Sequence, residues 1–191
     1  MTAQRPDEAE LVARAKLGDR DAFSALVVEH ASAVLTVAWR MLGDRFAAED
    51  AAQETFLAAF QSLATFRGDA RFSTWLYRIV LNKCRDVLRA RTSQPRTMDD
   101  MTDGRESVPE PAGDLPTPEA QLLADEHARS VWRAIRELPY IYREAFVLRH
   151  VEGMSYDDIS DVLGVDDGAL RMRVYKARRE LSRRLAGLVV M

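Results

Sequence analysis

Basic and aromatic side chains are interleaved between Phe66 and Arg91. The cations of this stretch are Arg67, Arg71, Arg78, Lys83, Arg85, Arg89 and Arg91, and the rings are Phe66, Phe72, Trp75 and Tyr77. Cations neutralise phosphates and rings stack on bases, so this combination suits single-stranded nucleic acid. A second interpretation puts Trp75 in a hydrophobic core and leaves Phe72 and Tyr77 open to either role.

Another basic stretch lies close to the C-terminus, where the pattern predicts two helices joined by a tight turn. Ser155 is suited to cap the first helix, which ends at Gly164. Asp166 or Asp167 is suited to cap the second, which reaches about Leu185. A short helix, a glycine turn and a longer basic helix match the helix-turn-helix pattern, whose second helix enters the major groove of DNA. The alternative is an ordinary helical hairpin with a solvated basic face.

The last helix has two distinct faces in this interpretation. Its packing stripe is Leu170, Val174, Ala177 and Leu181. Its outward residues include Arg171, Met172, Tyr175, Lys176 and Arg179, with Arg173, Arg178, Arg183 and Arg184 beside them. We expect Arg171, Tyr175 and Lys176 to face base edges. The predicted phosphate contacts are Arg173, Arg178 and Arg179.

An acidic, amide-bearing helix face precedes the first basic stretch. Asp50, Gln53, Glu54 and Leu57 fall on the outward side of a helix predicted from Ala47 to Leu63. The residues expected to point inward are Ala48, Ala52, Phe56, Ala59 and Phe60. Such a face can accept hydrogen bonds from arginines on a partner coiled coil. A solvated acidic helix face is the alternative.

Helices are expected to position the two basic stretches and the acidic face, because the apolar residues recur at helical spacing and no convincing strand alternation is present. The composition divides the chain into helical residues 7–91, a proline-rich acidic stretch at 92–118 and helical residues 119–187. The middle stretch has almost no large apolar side chains, which predicts a flexible linker. The expected fold is therefore all-α, with two small helical domains joined by that linker.

The helix boundaries follow from capping residues and breakers. In the first segment, a helix over Leu11, Ala15 and Leu17 is broken at Gly18-Asp19. Asp21 is suited to cap the next helix, and Ser73 is suited to cap the helix that reaches Arg91. In the last segment, helices are predicted from Asp125 to Leu138, where Pro139 stops the first of them, and from Tyr142 to Val151.

Composition excludes several classes of function. The chain has 191 residues, a formal net charge of −3 and a single cysteine, Cys84, so an internal disulfide framework is impossible. The three histidines lack metal-ligand spacing, and no phosphate loop or nucleophile motif is present. The start of the chain is polar, and no apolar run approaches about 18 residues. We therefore predict a cytoplasmic protein that is not an enzyme, has no cofactor or metal, and does not insert into a membrane.

Three motifs together resemble the ECF (extracytoplasmic function) sigma factors of bacteria. They are Asp50-Ala-Ala-Gln53-Glu54-Thr-Phe56, then Phe66-Arg-Gly-Asp69 with Phe72-Ser-Thr-Trp75-Leu-Tyr-Arg-Ile79 and Asn82-Lys83, and finally the helix-turn-helix. They occur in the family's order and without the family's third domain between them. The resemblance implies that residues 7–91 form sigma domain two and residues 119–187 form sigma domain four.

The resemblance also implies a function and partners. Asp50, Gln53, Glu54 and Leu57 would bind core RNA polymerase, at the clamp helices of its largest subunit. The residues implied to melt and hold the minus-ten promoter element are Arg67, Arg71, Phe72, Arg78, Asn82 and Lys83, with a flipped base held by the loop 64–71 and Asn82. The residues implied to read the minus-thirty-five element are Arg171, Met172, Arg173, Tyr175, Lys176, Arg178 and Arg179. Most ECF relatives are restrained by an anti-sigma factor, which is therefore an expected partner, either membrane-tethered or soluble.

Two other functions compete with this one. A free-standing helix-turn-helix regulator would bind its operator alone, usually as a dimer on paired half-sites. A pure interaction protein would sequester a partner. The acidic face and the basic aromatic stretch within one domain favour a sigma factor, because a free-standing regulator has no use for both.

Overall fold

The computed structural model describes residues 7–93 and 128–186, and every regular element in these two ranges is helical. The first range holds α1 (Glu8–Lys16), α2 (Arg20–Leu42), α3 (Arg45–Ser62), a 3₁₀ turn (Leu63–Thr65) and α4 (Phe72–Ser93). The second holds α5 (128–136), α6 (Tyr140–Phe146), a π-helical turn (Val147–Val151), α7 (Tyr156–Leu163) and α8 (Asp167–Ala186). The all-α prediction is confirmed. The predicted linker falls outside the described residues except at positions 92 and 93, which end α4.

Helix α2 is the centre of the N-terminal group, which we define as α1 to α4. Leu26, Val37 and Met41 are fully buried where α2 meets α1, α3 and α4. The Asp19 carboxylate caps α2 by accepting a hydrogen bond from the Ala22 amide at 3.0 Å. The expectation that Asp21 caps α2 is therefore wrong, because Asp21 already lies within its first turn.

By length and composition alone, α2 is also apolar enough to cross a membrane. Its apolar side chains have another use in this structure, since several of them form the core of the N-terminal group. The core helix of a helical domain and a membrane span share this composition, and a third of the most apolar stretch of α2 is buried here.

Helices α3 and α4 form an antiparallel pair against α2. Asp44 caps α3 by accepting from the Ala47 amide at 3.0 Å and also binds Arg91, near the end of α4, at 2.7 Å. These two interactions hold the pKa of Asp44 below its usual value, with the amide hydrogen bond the larger cause. Helix α4 begins at Phe72, so Ser73 lies inside the helix, contrary to its predicted role as the cap.

The C-terminal group, α5 to α8, contains the predicted helix-turn-helix. The Ser155 hydroxyl accepts from the Asp158 amide at 3.1 Å and caps α7, as predicted. Gly164 ends α7 with φ +64°, a left-handed conformation that glycine adopts without strain. Of the two candidate caps for α8, Asp166 is the one whose carboxylate accepts from Ala169, at 2.9 Å. The predicted packing stripe of α8 is buried as expected, at Leu170, Val174, Ala177 and Leu181.

The two groups of helices are in contact, and a buried arginine joins them. Arg143 on α6 donates to the carbonyl oxygen of Met41 on α2 at 2.5 Å. It also donates to the carbonyls of Arg136 and Leu138, at the end of α5. Burial lowers the pKa of Arg143. Each of these carbonyls lies at a helix end, where no intrahelical donor is available.

We expect Arg143→Met to lower the free energy of unfolding by about 2–4 kcal/mol, because at least two buried carbonyls lose their donor while the side-chain volume is largely kept. Urea denaturation of the full chain measures this change. Arg133→Met on the exposed side of α5 is the matched control and should stay within about 0.5 kcal/mol of the wild type. Equal midpoints for the two variants would contradict this role for Arg143.

Candidate nucleic-acid and protein interfaces

One side of α3 presents exposed residues at coiled-coil spacing. Asp50, Gln53 and Leu57 are exposed, as predicted, and Phe46 and Phe60 continue the same line at both ends. The steps along this line alternate between four and three residues, which is the repeat of a helix seam that packs against another helix. We call these five residues the α3 seam. Phe46 is 79% exposed, Leu57 62% and Phe60 48%, so its apolar members are open to a partner.

Sequence reasoning missed two of the five residues of this seam. Phe46 was not singled out, and Phe60 was predicted to point inward. The Phe60 ring contacts Phe23 edge-on at 5.0 Å but leaves about half of its surface open, so the inward assignment is wrong. The heptad spacing of these residues was the available signal. Glu54 borders the seam and is tied to α4, because its carboxylate accepts from Lys83 at 2.8 Å.

The α4 basic face consists of Arg78, Asn82 and Arg85, which are spaced to share one side of the helix. Arg78 and Asn82 are exposed, and the Asn82 side-chain oxygen accepts from Arg85 at 3.0 Å. Lys83 lies to one side, in its ion pair with Glu54. Arg67 and Arg71 are exposed in the loop that leads into α4. Of the predicted minus-ten residues, two therefore precede α4 and three lie between residues 78 and 83 of that helix.

Phe72 is the exception among those residues. It is only 3% exposed and packs against Phe66 and Trp75, with ring centroids 5.5 Å from each. The prediction that Phe72 contacts DNA is corrected, because its ring lies in the core. The rings of Phe66, Phe72 and Trp75 pack together where the loop 64–71 meets α4. Lys16 of α1 also binds this loop, by donating a hydrogen bond to the Phe66 carbonyl.

The outward face of α8 is open to solvent over its whole length. Its exposed members are Arg171, Met172, Tyr175, Lys176, Arg178 and Arg179, which we call the recognition face. Arg171 is held by Asp167 at 2.7 Å and lies 4.5 Å above the Tyr156 ring. An exposed ion pair of this kind contributes little energy, so Arg171 can exchange Asp167 for another acceptor at small cost.

Arg173 differs from its neighbours on α8. Its side chain is mostly covered and donates to Glu144 on α6 at 3.2 Å. The structure thus places this predicted DNA contact in an ion pair that joins α8 to α6. Arg173 holds α8 against α6 in this conformation, whereas the other predicted residues of α8 are exposed.

Glu144 is a buried carboxylate that sequence reasoning did not identify. It is 1% exposed and accepts from Arg173 and also from Arg85 of α4, at 3.0 Å. Burial raises the pKa of Glu144, and the two arginines oppose that rise. One carboxylate therefore binds an arginine of the α4 basic face and the covered arginine of α8.

The described residues offer no obvious centre for metal or thiol chemistry. Within residues 7–93 and 128–186 there is no group of three histidine, cysteine or carboxylate side chains able to hold a metal ion. Cys84 is buried, and burial raises the pKa of its thiol to about 12. Thiolate, the reactive form, is therefore scarce at neutral pH.

Comparison with known proteins gives the family. The sigma-70 region 2 family matches residues 26–94, and the sigma-70 region 4 family matches residues 128–181. The chain is 36% identical to the RNA polymerase sigma-H factor of Pseudomonas aeruginosa, over 99% of this chain and 98% of that one. It is 33% identical to the ECF RNA polymerase sigma-E factor of Escherichia coli, over 99% of both. The chain therefore belongs to the ECF group of sigma factors, which are transcription initiation factors.

Two solved structures have similar folds. CnrH, in complex with the cytosolic domain of CnrY, superposes with a TM-score of 0.68 at 32% identity, covering 95% of this chain and 99% of CnrH. The sigma factor RpoE of Bartonella quintana, in complex with the anti-sigma factor NepR, superposes with a TM-score of 0.63 at 23% identity, covering 86% of this chain and 96% of that one. The second comparison bears on the fold alone.

Proposed function

We propose that this protein binds core RNA polymerase in the cytoplasm and directs it to specific promoters, while the polymerase supplies all of the chemistry. The observation that carries this proposal is the combination of the α3 seam with two separate basic surfaces on one chain. A protein that only binds DNA needs no exposed heptad seam. A protein that only binds another protein needs neither the α4 basic face nor the recognition face.

The polymerase contact is assigned to the α3 seam together with Glu54. Its centre is polar, with Asp50 and Gln53 able to accept hydrogen bonds from arginines. Its ends are apolar, with Phe46 and Phe60 suited to pack against helices. A coiled coil with basic residues at its middle has the complementary chemistry, and the clamp helices of the polymerase are the proposed partner.

The N-terminal group is assigned to the minus-ten element, with Arg67, Arg71, Arg78 and Lys83 as phosphate contacts. Extruding a base from the duplex costs a few kcal/mol, so a pocket must bind the extruded base. Asn82 is an exposed amide on α4, the helix that follows the loop 64–71, and an amide can both donate to and accept from a base edge. We assign the flipped base to this place.

Asn82→Ala should reduce promoter opening by about tenfold, the effect of losing roughly 1.4 kcal/mol of base contact, while initial promoter binding changes little. Permanganate reactivity of the melted strand, compared with footprinting of the closed complex, separates the two steps. Asp86→Ala, one turn further along α4, is the control and should open the promoter normally. Normal opening by Asn82→Ala would remove Asn82 from the base pocket.

The C-terminal group is assigned to the minus-thirty-five element. Arg171, Tyr175 and Lys176 point away from the packing stripe of α8 and can reach base edges in the major groove. Met172 offers an apolar surface beside them, suited to a thymine methyl group. Arg178 and Arg179 are assigned to phosphates. Arg173 acts through Glu144 by fixing the angle of the helix.

Control by an anti-sigma factor is also proposed. CnrH was solved in complex with another protein, the cytosolic domain of CnrY. A partner that covers the α3 seam here would compete with polymerase rather than with DNA. Release of such a partner, membrane-tethered or soluble, would couple this protein to a stress or extracytoplasmic signal.

Selection of DNA from a random duplex library tests the proposed function against a free-standing regulator. We expect this chain alone to enrich no sequence, and the chain with core polymerase to enrich two blocks at a fixed spacing. Core polymerase alone is the control. Enrichment of an inverted repeat by the chain alone would instead identify a dimeric regulator.

A further inference from the structure

Two buried phenylalanines lie on either side of the exposed part of the loop 64–71. Phe66 and Phe72 are 8% and 3% exposed, whereas of the five residues between them only Ala70 is partly covered. Gly68 has φ +82°, and a Cβ placed there would have no atom within 4 Å, so the crest of the loop stands in open space. The course of the loop therefore depends on what holds its two ends.

Helix α1 holds the first end of the loop through Lys16. The Lys16 ammonium donates a hydrogen bond to the Phe66 carbonyl. It also lies 5.5 Å from the centroid of the Phe66 ring, within the range of a cation–π interaction. One side chain of α1 thus contacts both the backbone and the ring of the residue at this end.

Helix α1 also acts on the second end of the loop, through its first residue. Glu8 Oε1 lies 3.1 Å from Nε2 of His30 on α2, and the His30 ring lies 5.5 Å from the Phe72 ring. Glu8 and Lys16 are the first and last residues of α1. A single short helix is therefore connected to both ends of the loop.

Helix α1 can serve as a support because it is itself fixed to α2. Its buried side chains, Leu11, Val12 and Ala15, pack where the two helices meet. Asp19, the cap of α2, also accepts from Arg14 of α1 at 2.8 Å. The match to sigma-70 region 2 begins at residue 26, so α1 lies outside it and a role for α1 does not follow from that match.

We propose that α1 positions the loop 64–71 for the flipped minus-ten base, with Lys16 as the positioning residue and the pair of Glu8 and His30 as a second hold. This proposal rests on the proposed function, because it takes the loop and Asn82 as the place of that base. A loop that is already held in its binding conformation loses little freedom when the base enters, so more of the contact energy appears as affinity and selectivity. Lys16 acts through the loop and contacts no base itself.

Cleavage of the free, full chain by trypsin measures how firmly the loop is held. Trypsin cuts after Arg67, which is exposed in the loop, and mapping the fragments isolates this bond. Lys16→Met keeps a long side chain without the donor, so cleavage there should become about fivefold faster, the effect of losing one net hydrogen bond from the closed loop. Lys16→Arg keeps a donor and should stay close to the wild type. Arg20→Met removes an exposed charge at the start of α2 and is the control, with an unchanged rate expected.

Transcription by the holoenzyme from templates with a random upstream region gives a readout that a purely structural role would not move. Lys16→Met should lower the selectivity at one position of the minus-ten block by about fivefold, and it should leave the preference in the minus-thirty-five block unchanged. A variant that only reduced the amount of folded protein would lower all transcripts and keep both preferences. Lys16→Arg should restore the minus-ten preference. Glu8→Gln, at the second hold, should shift the preference in the same direction as Lys16→Met but by less.

Combination with Asn82→Ala tests whether Lys16 acts on the same base. Two residues that act on one contact have effects that do not add. In the Asn82→Ala background, Lys16→Met should therefore lower promoter opening by less than about twofold beyond Asn82→Ala alone. Permanganate reactivity of the melted strand measures opening in the single and double variants.

Unchanged cleavage after Arg67 in Lys16→Met would show that α1 does not hold the loop. Faster cleavage with both sequence preferences unchanged, or additive effects of Lys16→Met and Asn82→Ala, would show that this hold has no part in reading the base. Failure of the wild-type chain to support transcription would instead remove the proposed function and with it the DNA role of the loop, whereas the cleavage result would stand.

Discussion

Reversing the charge of Asp50 to arginine together with Gln53→Ala should lower the affinity for core polymerase by about 100-fold or more. Losing one partner of a desolvated, hydrogen-bonded charge pair costs about 2–5 kcal/mol, and the introduced arginine would also face the proposed basic partner. Both residues are exposed in the free protein, so the free energy of unfolding should change by less than about 0.5 kcal/mol. Titration of labelled core enzyme with the purified variants measures the affinity.

Glu29→Arg is the matched control, because it reverses an exposed acid on α2, away from the α3 seam. It should bind core enzyme like the wild type. Phe46→Ser and Phe60→Ser test the two ends of the seam, and each should cost about 1–2 kcal/mol of binding if its ring is buried by the partner. Wild-type affinity in the Asp50/Gln53 variant would show that polymerase binds elsewhere.

Arg171→Ala and Arg178→Ala should affect promoter binding in two different ways. Loss of a bidentate arginine contact to a base costs about 1–3 kcal/mol and relaxes preference at one position. Loss of a phosphate contact weakens binding to all sequences alike and reduces the slope of log affinity against log salt by about one. We expect the first behaviour from Arg171 and the second from Arg178.

Assembled holoenzyme on a library of minus-thirty-five variants, at several salt concentrations, measures both effects. Asp167→Ala is a useful companion, because it removes the acid that holds Arg171 at 2.7 Å and leaves the base contact available. It should keep the sequence preference. An Arg171→Ala holoenzyme with unchanged affinity and preference would show that α8 lies in the groove in another orientation, without affecting the family assignment.

Local rules predicted the helices well but misplaced two of the caps, those of α2 and α4. The cap of α7 at Ser155 and the end of α7 at Gly164 both follow from residue type, and both are present in the structure. At the start of α2, the predicted cap was Asp21, whereas the cap in the structure is Asp19. The chain turns at Gly18, which puts Asp19 at the position whose side chain can reach the Ala22 amide. Helical periodicity alone does not fix such a boundary to within two residues.

Aromatic residues were harder to assign than charged ones. Phe60 and Phe72 both lie on helices that have one buried and one exposed side, and a phenylalanine is compatible with either. Phe72 became core because Phe66 and Trp75 pack around it, a contact made across a loop. Phe60 stayed half open because α2 offers it only the edge of Phe23. These outcomes depend on tertiary neighbours, which periodicity does not contain.

The contact between the two groups of helices lay beyond sequence reasoning altogether. Residue type alone places Arg143 and Glu144 on the surface, because charged side chains are seldom fully buried unless they are paired. Both are buried here, and each has a partner in the N-terminal group, 102 residues away for Arg143 and 59 for Glu144. The same contact explains Arg173, which joins α8 to Glu144. Nothing in the local pattern of α6 or α8 specifies these pairs.

Run-off transcription with purified core polymerase tests the central claim most directly. The template is a library in which a random upstream region precedes a constant transcribed sequence, and the transcripts are sequenced together with their templates. We predict that transcripts appear only when this chain is added, from templates that share two sequence blocks at one spacing, and that the Asp50/Gln53 variant yields almost none. Transcription that is no greater with the chain than with core polymerase alone would contradict the assignment of this protein as a promoter-directing subunit.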